Sequence, residues 1–228
     1  MSDAISEGYP LDESKTNLAL PRVMPTVVMG VSGASGMIYA VRSLKFLLAH
    51  DYPVELVASK AAITVWQTEH HQPMPVNPHQ QEAFWREQCE ESGGSLTCHN
   101  FADIAATIAS GSVRTLGMVV IPCSMSTVAK ITHGISSDLL ERAADVHLKE
   151  GRKLIIVPRE TPFSLIHLRN LTALAEAGAR IVPAIPAWYH QPQTINDLVD
   201  FVVARTFDQL EIDSHIIRRW TGRNKPTS

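Results

Sequence analysis

The chain has 228 residues, 45% of them apolar, 6% aromatic and 19% charged, with a formal net charge of −3. That length suits one domain with a substantial core, and a slightly acidic chain with no Lys/Arg block excludes binding driven by charge to nucleic acid or anionic membranes. The charged fraction lies below the roughly 25% usual for soluble domains, so something beyond the chain's own core is expected to cover apolar surface.

Residues 1–23 carry Asp3, Glu7, Asp12 and Glu13 and no apolar h-region. They read as a flexible tail, neither a secretory signal nor an Arg-rich transit peptide. No apolar run reaches the roughly eighteen residues of a membrane span. Cys89, Cys98 and Cys123 are odd in number and spaced unlike any zinc ligand set. They point to a reducing, cytoplasmic compartment.

The domain is expected over 24–212, with a second tail over 213–228. Short β-branched runs at 26–31, 54–58, 117–121, 154–157 and 181–185 are bounded by Gly, Pro or Ser, the pattern of strands buried on both faces of a parallel sheet. Helical stretches separate them. Met37 to His50 has one apolar face, and a helix capped by Asp138 and Glu141 ends at Gly151. Ser164 to Ala177 and Thr194 to Leu210 complete the set, while 70–112 reads as an irregular polar insertion with one short strand. The alternation predicts a single doubly wound α/β domain, a parallel sheet between helix layers.

Ligands of such sheets bind beyond the carboxyl ends of the strands. After the first strand, Ser32-Gly33-Ala34-Ser35-Gly36 lets backbone approach a ligand and opens a helix whose N–H groups suit an anion. It departs from the dinucleotide pattern G-x-G-x-x-G, which favours a mononucleotide phosphate; a tight turn made for packing is the alternative. Ser59 suits a ligand or a plain N-cap. Glu69, taken singly, reads as a solvated helix residue. Ser124-Met125-Ser126-Thr127, after Pro122-Cys123, suits a phosphate or a flavin rim, or again a cap. Arg159 and Glu160 form either a surface ion pair or a phosphate fork with a proton-moving carboxylate. Arg142 and Lys149, two helical turns apart, fit a dianion or a solvated face. Arg205 in an apolar helix calls for a partner or a ligand.

Together SGASG (32–36), SKAA (59–62), PCSMST (122–127), ERAADVHLKE (141–150), PRETPFS (158–164), WYHQPQ (188–193) and DLVDFVVAR (197–205) closely resemble the UbiX-type flavin prenyltransferases. These are a Rossmann-like, flavodoxin-related branch of the flavoprotein superfamily that also holds cysteine decarboxylases. The resemblance implies metal-independent transfer of a dimethylallyl group from its monophosphate to reduced FMN, closing a fourth ring on the flavin. The prenylated flavin would serve a UbiD-type decarboxylase, and the subunits would assemble as dodecamers.

Carried over by motif, FMN would contact Gly33, Ala34, Ser35, Ser59, Ser124, Met125, Ser126, Thr127 and Arg159. The prenyl phosphate would meet Ser110, Arg142, Lys149, Tyr189 and Arg205. Ser35, Glu69, Lys149 and Glu160 would carry the chemistry. Ile104 falls where some relatives carry Trp. Two other readings stand beside this one: a decarboxylase of the cysteine type, for which His99 loosely mimics the catalytic His, and a non-catalytic FMN carrier.

Overall fold

The apolar run Val27–Val31 forms β1, and all five of its side chains are buried, as a strand between two helix layers requires. The computed structural model describes residues 24–91, 93–217 and 219. The tail expected over 1–23 and most of the one expected over 213–228 lie outside these. The elements follow as β1, α1 (Met37–Ala49), β2 (Val54–Ala58), α2 (Lys60–His70), α3 (Pro78–Cys89), β3 (Leu96–His99), β4 (Gly117–Cys123), α4 (Met125–Thr132), α5 (Leu139–Lys149), β5 (Leu154–Pro158), α6 (Leu165–Glu176), β6 (Arg180–Ile181) and α7 (Ile195–Leu210).

The strands pair in parallel in the order β3-β2-β1-β4-β5-β6, the doubly wound α/β arrangement expected. The chain winds outward from β1 in one direction and from β4 in the other. This reversal leaves a crevice at the carboxyl ends of β1 and β4, the place where such sheets hold ligands.

Alternate strand residues face opposite layers. Val27, Met29 and Val31 pack with α1, α2, α3 and α7, whereas Val28, Met118 and Val120 pack with α4, α5 and α6. Phe207 of α7 is fully buried, worth about 1.5–3 kcal/mol relative to exposure. Past α7, Ser214 is buried and Ile216 packs against the α1/α7 core.

Four local expectations change. The stretch 70–112 contains the short strand β3, but also a full helix, α3. Asn77 caps it, Pro78 occupies its first turn, and Gln81, Phe84, Trp85 and Cys89 form its buried face. β4 runs on through a cis Ile121–Pro122 bond to Cys123, with a register irregularity after Val120 that accommodates a residue lacking an N–H. β6 is only two residues long, and Pro183 beyond it falls at an edge position whose missing N–H would face away from β5. The chain still follows β5, with Val182 N donating to Ile156 O (2.8 Å) and Ala184 N to Pro158 O (3.0 Å). Asp138 does cap α5 through Glu141 N (3.0 Å). The Glu141 carboxylate, however, turns to Ser137 N (2.8 Å) and Lys130 Nζ (2.7 Å) instead of closing a reciprocal box.

Among the described residues no helix is long and apolar enough to cross a membrane. Cys89, Cys98 and Cys123 are all buried and unpaired.

Candidate active site

Ser32 stitches the crevice together. Its hydroxyl donates to Pro122 O (3.1 Å) and accepts from Ser124 N (2.7 Å), tying the loop after β1 to the loop after β4. The side chain is fully buried, so it needs both partners. In the sequence it stands only as one small residue of SGASG. A hydroxyl directly following a fully buried strand was the signal.

Gly33 lies so close to the first turn of α2 that an added Cβ would overlap the Ala61 Cβ and sit 3.1 Å from the Ala61 carbonyl carbon. Beside it, Ser59 caps α2 by accepting from Ala62 N (3.2 Å). Ser124 caps α4 by accepting from Thr127 N (3.2 Å), with its hydroxyl 3.0 Å from Thr127 Oγ1. Ala34, Met125 and Thr127 are buried, and Ser126 is exposed. The cap readings at Ser59 and Ser124 are therefore correct locally. They also aim two helix N-termini, with their unsatisfied N–H groups, at one crevice, an arrangement suited to a phosphate.

The N-terminus of α1 is not available in this way. The Glu69 carboxylate reaches across from α2 to accept from Gly36 N (2.8 Å) and Met37 N (3.0 Å). Glu69 is thus no solvated bystander, and the N–H groups expected to receive a ligand's anion already hold one. Burial pulls its pKa upward, but hydrogen bonds from the Ser35 hydroxyl and from the Met37 and Gly36 amides outweigh that and hold it below the ordinary value.

Arg159 completes this group, its Nε donating to Ser35 O (3.0 Å) and its backbone N to Cys123 O (3.1 Å). It forms no ion pair with its neighbour, since the Glu160 carboxylate accepts from Thr161 N (3.0 Å). Both residues line a cavity of about 240 Å³ with Pro158, Phe163, Ala184 and Ile185. Burial raises the pKa of Tyr39, an effect partly offset by the positive charge of Arg159. Burial also pushes the Cys123 thiol far up, so it is no nucleophile.

The remaining candidates divide between the two helix layers. Ser110, Arg142 and Lys149 lie on the α5 side; Arg142 pairs with Asp145 (3.2 Å) and Lys149 with Glu150 (2.7 Å). Tyr189 and Arg205 lie on the α7 side, where the Tyr189 ring meets Phe201 edge-on at 5.8 Å. Arg205 is not the buried charge its apolar neighbours suggested. Its side chain is 49% exposed and pairs with Asp208 at 2.6 Å. One chain therefore brings Ser35, Glu69 and Arg159 together but leaves the two groups of cationic candidates on opposite faces of the sheet. Among the described residues no cluster of three or more His, Cys, Asp or Glu is arranged to hold a metal ion.

The family model for Flavoprotein matches residues 17–207. A flavin prenyltransferase UbiX from Synechocystis sp. is 66% identical over 197 residues, 86% of this chain and 96% of that protein. The crystal structure of AnUbiX (PadA1) in complex with FMN and dimethylallyl pyrophosphate aligns with a TM-score of 0.77 and 37% identity, over 88% of this chain and all (100%) of that one. A dodecameric FMN-dependent UbiX-like decarboxylase from Escherichia coli O157:H7 aligns with a TM-score of 0.74 and 43% identity, over 86% and 100% of the two chains.

Proposed function

The chain belongs to the flavoprotein family and to its UbiX branch of flavin prenyltransferases, and on that premise we infer that it transfers a dimethylallyl group from dimethylallyl monophosphate to reduced FMN. The observation that carries this reading is the junction of Ser35, Glu69 and Arg159, a hydroxyl, an ionised carboxylate and a guanidinium joined at the β1/β4 crevice.

The donor set there fits FMN. The capped N-termini of α2 and α4 suit its phosphate, and the hydroxyls with Arg159 suit the polar edge of its ring. In this reading Gly33, Ala34, Ser35, Ser59, Ser124, Met125, Ser126, Thr127 and Arg159 hold the flavin. When bound, reduced FMN supplies the nucleophilic ring atoms. The chain's own work is to hold the donor, stabilise the phosphate as it departs and move protons. Arg142, Lys149 and Arg205, with Ser110 and Tyr189, meet the phosphate, where preorganised cations stabilise developing charge. Glu69 and Glu160 are the carboxylates that take and return protons.

In this reading, the split of the phosphate-binding candidates between opposite faces is met by neighbouring copies completing each site. The E. coli relative is a dodecamer, and we propose the same assembly here. Leu165, Ile166, Trp188 and Ile195 are more than half exposed in the single chain, which fits burial between subunits. The prenylated flavin would pass to a UbiD-type decarboxylase. A cytoplasmic location agrees with three unpaired thiols.

The cysteine-decarboxylase reading loses its main support. His99 ends β3, the strand at the sheet's far edge, and its ring is engaged by Glu55. A passive FMN carrier has no use for Lys149 or Glu160. Anaerobic incubation with reduced FMN and dimethylallyl monophosphate, followed by mass spectrometry of the flavin, tests the assignment. One added five-carbon unit is expected, and an unchanged flavin mass rejects the prenyltransferase. Glu160→Gln is expected to retain FMN and lose at least about a hundredfold in turnover. Lys149→Ala should likewise bind FMN and turn over poorly.

A further inference from the structure

The last turn of α5 and the loop before β4 are locked together by two ties, one from Arg152, just past the 141–150 motif, and one from His147 within it. α5 ends with Gly151 in the left-handed region at φ 63, and Arg152 N donates back to His147 O (2.8 Å). This closing turn fixes the Arg152 backbone rigidly against the helix. From that anchored point the guanidinium reaches across to donate to two loop carbonyls, Val113 O (2.5 Å) and Gly111 O.

A second tie runs parallel to the first. Buried His147 places Nδ1 2.7 Å from Ala143 O and Nε2 2.8 Å from Thr115 Oγ1. A carbonyl can only accept, so the ring proton sits on Nδ1 and Nε2 accepts from the Thr115 hydroxyl. The fit between loop and helix is close. An added Cβ at Gly111 would overlap the Glu150 carboxylate and lie 3.1 Å from Lys149 Nζ.

We propose that Arg152 is a positioning residue for the phosphate end of the site, holding the Ser110–Val113 loop on α5 so that Ser110 and Lys149 face one phosphate. This rests on the reading that those two side chains meet the donor phosphate. The Arg152 guanidinium hydrogen-bonds loop carbonyls, its charge also acts on His147 and Glu150, and it serves the phosphate through the residues it places. Neutralising it frees the loop while leaving the flavin crevice at β1 and β4 intact.

The test is the kinetics of Arg152→Gln and Arg152→Lys beside wild type, with FMN affinity measured by titration. Arg152→Gln is expected to raise KM for dimethylallyl monophosphate by between about ten- and a hundredfold, since small misplacements of a binding group cost that much. FMN affinity should stay within about twofold. A residue acting through Ser110 should also be non-additive with it, so Arg152→Gln/Ser110→Ala should be hardly worse than the poorer single variant. Arg152→Lys, which keeps charge but cannot span both carbonyls, should rescue little.

Unchanged KM in Arg152→Gln, or effects of Arg152→Gln and Ser110→Ala that simply add, overturns the proposal. Should Arg152→Gln fail to fold, Thr115→Val cuts the parallel tie and must raise the same KM; an unchanged value overturns the proposal equally. Lys149→Ala separates the two layers of inference. If it raises KM while Arg152→Gln does not, only the clamp is wrong, and if neither does, the donor phosphate binds elsewhere.

Discussion

Glu69 on α2 and Met37 at the start of α1 are joined by a 3.0 Å hydrogen bond from amide to carboxylate. With the neighbouring bond from Gly36 N (2.8 Å), it makes Glu69 the cap that α1 lacks locally, since Gly36 has no side chain to serve. A carboxylate at a helix N-terminus also opposes the positive end of the macrodipole. The helix after β1, which in a dinucleotide-binding sheet would face the ligand's phosphate, thus carries its own anion.

Glu69→Gln keeps the shape and removes the charge. It is expected to cost about 0.5–2 kcal/mol at neutral pH, the range for helix caps. The folded pKa of Glu69 lies below its ordinary 4.5, so its contribution is complete above that value and is lost as pH falls through the lower folded one. Chemical denaturation of both proteins should show a gap at pH 7 that closes under acid. A constant gap would mean that the charge contributes nothing.

Gly33→Ala should harm both fold and flavin site. The new Cβ meets the Cβ and backbone of Ala61, none of which can swing aside. Overpacking of this kind typically costs about 1–3 kcal/mol. The loop can relieve it only by lifting off α2, which spreads the crevice. Weaker FMN binding with a lowered melting temperature is expected by titration and thermal scan. Wild-type values for both would show that the close approach is dispensable.

The sheet was legible because strands buried on both faces leave unbroken β-branched runs, and the winding order follows from their alternation with helices. α3 was not, because its buried face includes Gln81, whose amide donates to Pro75 O (2.7 Å), and a polar core residue breaks an apolar count. Asn77-Pro78, a cap followed by a first-turn proline, carried the missing signal. Arg205 misled for the opposite reason. Val202, Val203 and Ala204 beside it are buried, but the helical turn carries Arg205 to the outer face. The Glu69 bridge joins two helices, and no local rule pairs such partners.

His147 makes the fold sensitive to mild acid. Burial is the main force lowering its pKa from the ordinary 6.5, so the unfolded chain takes up a proton before the folded one does. Its share of stability is full above pH 6.5 and declines as pH falls towards the folded value, at no more than about 1.4 kcal/mol per pH unit. His147→Gln should remove that part of the slope between pH 7 and 5.5. Parallel wild-type and variant slopes would exclude His147 as the source.

The exposed side chains of α6 return to the low charge content of the chain. Leu165, Ile166 and Leu168 expose 61%, 67% and 48% of their surface, side by side at the start of one helix. Taking such a side chain from full exposure to full burial is worth about 1.5–3 kcal/mol, so each of these stands to gain roughly half to two-thirds of that where a neighbouring subunit covers it. Light scattering should therefore give a mass several times the 25.1 kDa of one chain. Ile166→Glu buries a charge in any contact built on this face, so it should shift the protein to smaller species. Because Ser110, Arg142 and Lys149 sit on the opposite layer from Tyr189 and Arg205, prenyl transfer should fall together with assembly. A 25.1 kDa wild-type species that retains full turnover would show that one chain completes the site without its neighbours.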